Sequence, residues 1–336
     1  MTGRAVPSSI EFRAIDDEPI GSALGEIFAE YWPAYRRWMR KARIGAQTDH
    51  RARLREHMPE LVPVFEQLLE AFGGDESVAE FLALHNPPRV VRGCSQIVLD
   101  DDGPVLVRAY DHHPALIDAV ILRSAWRGRP TLAMADCLWG ALDGINDEGL
   151  AIALAFGGRN AIGPGFAAPL VARYILETCA TVGDARAALD RVPVYMPYTF
   201  VVVDASGAFV TAFAGPDEPT RFVTRRASTN HRSPEDWPAY CEHTKSVERL
   251  RTLEAILGEG ASESAALRAF GRAPLRRSDY AHALGTLYVA SYRPLARSLT
   301  LHWPDLAEEF TLADFRPRTI PVPLEATHST GMPPRP

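Results

Sequence analysis

Three short stretches carry side chains that could do acyl chemistry. Gly93-Cys94-Ser95 places a thiol at the junction between a helix-rich region and a strand. The thiolate is the nucleophilic form of cysteine, and it can hold an acyl group as a thioester. Arg108 and Asp111 follow in Val107-Arg108-Ala109-Tyr110-Asp111-His112-His113-Pro114. An arginine beside a thiol favours the thiolate, and a carboxylate nearby can orient an amine or an imidazole. Ser228-Thr229-Asn230-His231 is the third stretch. An asparagine amide is a good oxyanion donor. Each stretch alone also has an ordinary reading: a small core cysteine, a surface ion pair at a strand end, a turn asparagine.

The surrounding pattern says how these residues could meet. Cys94 to Leu99 reads as a strand, Asp100-Asp101-Asp102-Gly103 as a turn, and Val105 to Tyr110 as the returning strand. An Asp-Gly step between apolar runs is a hairpin signal, and hairpin geometry brings Arg108 back beside Cys94. Further strands are expected at Ala119–Arg123, Thr131–Ala135, Leu150–Ala155, Phe200–Asp204, Phe209–Ala214, Thr286–Tyr292 and Ser298–Trp303. Helices are expected at Ala168–Thr178, Val182–Asp190 and Lys245–Leu257.

Residues 1–93 read differently, as a helical N-terminal segment. Ile20 to about Ala46 is rich in helix formers, with Pro33 expected to interrupt or kink it. Leu61 to Phe72 forms a second apolar stripe, stopped by Gly73-Gly74, and Ser77 to Leu84 a third helix. The Pro-rich tail from Arg316 reads as an extended strap or a disordered segment. Strands, then helices, then strands predict an α+β sandwich and not alternating βαβ units.

Composition excludes several classes. The chain has 336 residues, 46% hydrophobic and 23% charged, with a formal net charge of −6. These values suit a globular protein with a sizeable core. No concentrated basic face marks a nucleic-acid partner. No apolar run suggests a membrane span or a secretory leader, so a cytoplasmic protein is expected. Cys94, Cys137, Cys179 and Cys241 are widely spaced, and no ligand cluster suggests zinc. His112 and His113 lack companions that would make a metal site. No Gly-rich phosphate loop is present, and no cofactor is expected.

Several motifs in order strengthen the three stretches. They are RGCSQIVL, VRAYDHHP, DGINDEGLAIALAFGGR, GPGFAAPLVARYILETCATVGDA, ASTNHR, HTKSVERLRTLEAIL and GTLYVASYRP. With these, the chain resembles the acyl-coenzyme A:6-aminopenicillanate acyltransferase-type family of Ntn (N-terminal nucleophile) hydrolases, relatives of bile salt and penicillin V hydrolases. The resemblance runs from about Arg92 to Pro304.

It implies a four-layer αββα sandwich and self-cleavage between Gly93 and Cys94. Residues 1–93 would stay as a small chain, and residues 94–336 would carry catalysis. The freed α-amine, with a pKa of roughly 7.7–8.0, would serve as base for a thiol of pKa about 8.5. The resemblance places Arg108 near the thiol and Asp111 on the amine. It makes Asn230 an oxyanion donor, joined by a backbone N–H near Ala155–Phe156. It gives the late arginine as Arg249, with Arg251 the competitor. Ala109 and Phe156 depart from the asparagines that relatives often carry nearby.

Tyr110, His112, His113, Trp139, Ala155 and Phe156 are read as candidates to line the substrate pocket, against core packing as the plainer fate. The implied activity is hydrolysis of a linear, non-peptide amide through a Cys94 thioester. The alternatives are acyl transfer from acyl-CoA to an amine on the same residues, and an uncut relative that only binds a small molecule. A papain-like Cys94–His231 pair is a weaker reading, without the local sequence that such enzymes carry. A small-molecule acyl amide or acyl-CoA is the expected partner, and a homo-oligomer is compatible with all of these.

Overall fold

A computed structural model of the chain describes residues 6–41, 49–91, 93–260 and 262–324. Arg92, Ala46 and the end of the Pro-rich tail lie outside them. In chain order the strands begin with β1 (Ser9–Asp16), β2 (Gly93–Asp100), β3 (Pro104–His112), β4 (Val120–Ser124) and β5 (Thr131–Asp136). β6 (Gly140–Asn146), β7 (Ala151–Phe156), β8 (Tyr198–Val203), β9 (Phe209–Gly215), β10 (Glu218–Val223) and β11 (Ala227–Ser228) follow. The last are β12 (Ser278–Asp279), β13 (Leu284–Arg293), β14 (Ser298–Trp303), β15 (Leu306–Thr311) and β16 (Arg318–Pro323). The helices are α1 (Leu24–Met39), α2 (His50–His57), α3 (Val62–Ala71), α4 (Glu76–Ala83), α5 (Ala168–Thr178) and α6 (Val182–Arg191). They end with α7 (Pro238–Thr244), α8 (Ser246–Gly258) and α9 (Glu263–Phe270).

Two sheets stack face to face. One is nine-stranded, in the order β10-β9-β8-β7-β6-β5-β4-β1-β16; the other is seven-stranded, β11-β2-β3-β13-β14-β15 with β12 on β13. α5 and α6 cover the outer face of the first, and α8 and α9 that of the second, while β2 and β3 meet β7 and β8 across the middle. This is the αββα sandwich. Alternation along β2 and β3 feeds both of its inner interfaces. Val98, Leu106 and Tyr110 face the layer between the sheets. Ile97, Leu99, Val105, Val107 and Ala109 face α8 and α9.

The described part of the N-terminal segment carries the four helices α1 to α4, but it opens on a strand that the sequence reading missed. β1 lies between β4, which it pairs in parallel, and β16, which it pairs antiparallel. The start of the Pro-rich tail is therefore a strand too. α1 also continues through Pro33 without interruption. Pro33 and Ala29, whose carbonyl loses its helical partner, are both exposed residues. No helix among the described residues is long and apolar enough to cross a membrane.

Candidate active site

Cys94 is the second residue of β2, 1% exposed, and its main chain pairs with Tyr110 of β3. Even-numbered residues of this hairpin face the layer between the sheets, and odd-numbered ones face α8. The site is built on both faces of one strand end.

On the inner face, Arg108 places Nη2 at 3.5 Å from Cys94 Sγ and donates to the carbonyl of Leu154 at 2.8 Å. Its Nη1 meets Asp143 Oδ2 at 2.7 Å and Tyr288 Oη at 2.8 Å. Tyr288 and Tyr292 both donate to the Asp143 carboxylate. Spaced four apart on β13, their side chains share one face. Burial pulls the Arg108 pKa down, but the charges of Asp143 and of the surrounding tyrosines and thiol outweigh it, and the net shift is upward. Arg108 is a permanent cation against the sulfur. Burial raises the Asp143 pKa, with Arg108 opposing.

On the helix face, Gly93 lies directly across from Asp111. A Cβ at Gly93 would come within 2.9 Å of Asp111 Cβ and 3.1 Å of Oδ2, so only glycine fits without movement. Thr286 Oγ1 donates to Asp111 Oδ1 at 2.7 Å. A bulge in β13 between Thr286 and Tyr288 lets one strand serve both Asp111 and Arg108. Asp111 Oδ2 is buried without a hydrogen-bond partner among the described residues, 4.0 Å from Arg249 Nη1. Burial raises the Asp111 pKa, opposed by Arg249 and the Thr286 hydrogen bond.

Arg249, near the start of α8, ties this face together. It donates to the Cys94 carbonyl, to Ser95 Oγ at 2.8 Å and to Asn230 Oδ1 at 2.8 Å. Arg251 is exposed on the same helix. Asn230 Oδ1 also accepts from the Cys94 backbone N–H at 2.7 Å, and Asn230 Nδ2 donates to the Phe156 carbonyl at 3.2 Å. Gly158, at φ +71°, presses onto the Asn230 main chain, where a Cβ would lie 2.1 Å from its carbonyl oxygen. This glycine, two residues after Phe156, thus fixes how deep Asn230 sits.

The expected lining residues divide. Phe156 lines a cavity of about 30 Å³ above Cys94. His112 lines a larger one of about 1260 Å³ outside it. Ala155 is buried in β7, paired with Thr199. Two expectations are corrected. Trp139 is a core residue, fully buried, its Nε1 bonded to the Leu82 carbonyl at 2.9 Å, and it lines neither cavity. Tyr110 is also fully buried, its ring centroid 4.9 Å from the Arg108 guanidinium carbon, and it supports the arginine. His231 Nδ1 lies 2.9 Å from Ser246 Oγ and 3.1 Å from Thr229 Oγ1, which ties the ring to the start of α8. Burial, then Arg249 and Arg225, lower its pKa to about 4.

Asp143, Tyr288 and Tyr292 were missed from sequence. Their signal is an acid inside the apolar strand Ala141-Leu142-Asp143-Gly144-Ile145 and two tyrosines on one strand face. None of the four cysteines is in a disulfide. No group of metal-ligating side chains occurs among the described residues.

The chain is similar in structure to penicillin V acylase from Agrobacterium tumefaciens, with 14% identity and a TM-score of 0.47 over 64% of this chain and 84% of that one. It is similar to a mutant of conjugated bile acid hydrolase from Clostridium perfringens, with 9% identity and a TM-score of 0.47 over 68% and 96%. For the Caenorhabditis elegans N-acylethanolamine-hydrolyzing acid amidase ortholog the values are 15% and 0.45 over 68% and 100%. No curated protein sequence matches. One family profile covers residues 98–308, which include Arg108, Asp111, Asn230 and Arg249. That profile is acyl-coenzyme A:6-aminopenicillanic acid acyl-transferase; it matches more than half of the protein, and the chain belongs to that family.

Proposed function

We propose that this protein is a self-processing cysteine amidohydrolase that cuts itself between Gly93 and Cys94. One observation carries the reading. Arg108 and Asp111 of β3, with Asn230 and Arg249 from two distant stretches of the chain, converge on the Gly93–Cys94 junction. In the first step Cys94 Sγ adds to the Gly93 carbonyl and the Gly93–Cys94 C–N bond breaks, with the nitrogen taking a proton. Water then opens the thioester and leaves a Gly93 carboxylate and a free Cys94 amine.

In turnover that amine accepts the thiol proton, and Asp111 Oδ2, which has no hydrogen-bond partner among the described residues, holds the resulting ammonium. The thiolate, stabilised by Arg108, attacks the carbonyl carbon of a linear amide. Asn230 turns its Nδ2 from Phe156 to the oxyanion. The leaving amine takes the proton, and water releases the acid from the Cys94 thioester. The outer cavity, at about 1260 Å³, has room for a second substrate, which favours acyl transfer to an amine as a second reading.

Intact mass spectrometry of the purified protein beside a Cys94→Ala variant tests the processing. The expected result is two chains in the wild type, one ending at Gly93 and one starting at Cys94, and a single chain in the variant. One uncut chain in folded, active wild-type protein overturns it.

A further inference from the structure

The inner and outer cavities share a wall. The inner chamber above Cys94 measures about 30 Å³ and is mostly apolar, with Leu154, Phe156 and Pro169 in its wall. A water needs roughly 10–15 Å³ by such a measure, so the chamber holds a group of about two heavy atoms. The outer vestibule, about 1260 Å³, has a mixed lining that includes Arg37, Lys41 and His243. Both are bounded by Trp38, Val90, Asp136 and Cys137. Of these, Trp38 has by far the largest side chain and comes from the N-terminal segment.

Its position is held firmly. Tyr35, one turn earlier on α1, lies 6.1 Å from Trp38, edge-on, and 4.6 Å from Phe81, tilted, between ring centroids. The Tyr35 hydroxyl donates to Asp118 Oδ1, and the Tyr31 hydroxyl donates to the Asp118 carbonyl at 3.1 Å. Asp118 Oδ2 accepts from the Leu138 N–H at 2.9 Å, beside the Asp136-Cys137 wall. α1 and that wall are therefore fixed to one another through a single aspartate.

We propose that Trp38 is a specificity-determining residue: it closes the inner chamber so that only a short apolar acyl group fits beside Cys94, and the polar amine half of the substrate stays in the vestibule. The proposal rests on Cys94 being the nucleophile. Trp38 is only half-buried, so shortening it opens the partition without removing a piece of the main core.

The test uses chloromethyl ketones with alkyl groups from methyl to heptyl. Cys94 Sγ displaces chloride, forming a C–S bond, and the thiol proton passes to the amine or to solvent. Rates are read by intact mass. In the wild type, labelling falls steeply with alkyl length. In Trp38→Ala the heptyl-to-methyl rate ratio rises about tenfold, within the range for a hydrophobic pocket limit. Trp38→Leu, which keeps an apolar cover on α1, gives a smaller rise in the same direction. Equal profiles in the wild type and either folded variant overturn the partition. Failure of every probe, the methyl one included, to label wild-type Cys94 overturns the nucleophile reading instead.

Discussion

Arg108 Nη1 lies 2.7 Å from Asp143 Oδ2, with neither side chain exposed to solvent. An ion pair so deep is costly to desolvate, and breaking it by removing one partner costs more than removing both. Asp143 is committed to Arg108, Tyr288 and Tyr292, and Arg108 is committed to the thiol. The pair is best understood as the mount that aims one guanidinium at Cys94.

Breaking that mount has a measurable signature. In a Cys94→Ala background, expected to stay one chain, Asp143→Asn should cost about 3–5 kcal/mol and Arg108→Met a similar amount. The double variant should cost no more than the worse single one, because no uncompensated charge remains. Denaturant unfolding reads all three. Additive losses would mean that the two side chains are not energetically coupled.

Gly93→Ala addresses the junction itself. Its Cβ would fall 2.9 Å from Asp111 Cβ, so the strand end or the carboxylate must move. Self-cleavage, followed by intact mass over time, should slow by at least about tenfold, about 1.4 kcal/mol of barrier. Circular dichroism spectra should show the fold kept. Cleavage at the wild-type rate would remove Asp111 from the picture of a tightly fitted scissile bond.

Asn230→Ala removes the acceptor shared by the Cys94 N–H and Arg249 Nη2. For an amide that the wild type hydrolyses, kcat/KM should fall on the order of 10²–10³. A fall below about tenfold in processed enzyme would assign oxyanion binding to other groups.

How far the sequence carried this site depends on the element. The β2–β3 hairpin was legible because Asp100 to Gly103 is a local turn signal, and its register puts Gly93 opposite Asp111 and Gln96 opposite Arg108. Asn230 and Arg249 lie far along the chain; Asn230 was a candidate by residue type, and only the resemblance suggested Arg249 and brought either of them to Cys94. β1 was missed although Ile10, Phe12 and Ala14 alternate inward. Charged Glu11 and Arg13 and the helical composition that follows hide it, and its slot between β4 and β16 is a tertiary fact. Trp139 failed for the opposite reason. Its place near the motifs in sequence says nothing of direction, and the chain turns it towards Leu82.

The β1 slot has its own consequence. β1 is hydrogen-bonded on both sides, to β4 and to β16, strands that the proposed cut at Gly93–Cys94 would place on the other piece. The two pieces should elute together in size-exclusion chromatography and separate only in denaturant. Elution of the small piece by itself would show that strand pairing and the packing of α1 do not hold it.

Stability should also depend on pH, with a sign that can be worked out. Burial, first of all, lowers the His231 and His85 pKa values to about 4, helped by Arg249 and Arg225 at the first and by His50 and Arg53 at the second. Unfolded histidine titrates near about 6.5. Between these values the unfolded chain binds roughly one more proton at each site than the folded chain, so the stability they contribute is present above about pH 6.5 and is lost as pH falls towards 4. Asp111, Asp143 and Glu177 oppose this trend, because burial raises their pKa values and the stability linked to them falls as pH rises. The difference between two proteins cancels that opposing slope. His231→Gln keeps a polar group beside Ser246 and Thr229 and removes one titration. Melting temperatures of the wild type and His231→Gln, compared from about pH 7 to about pH 4.5, should therefore converge or cross as pH falls, the wild type losing more. Parallel curves would mean that His231 takes up its proton equally in the folded and unfolded chain.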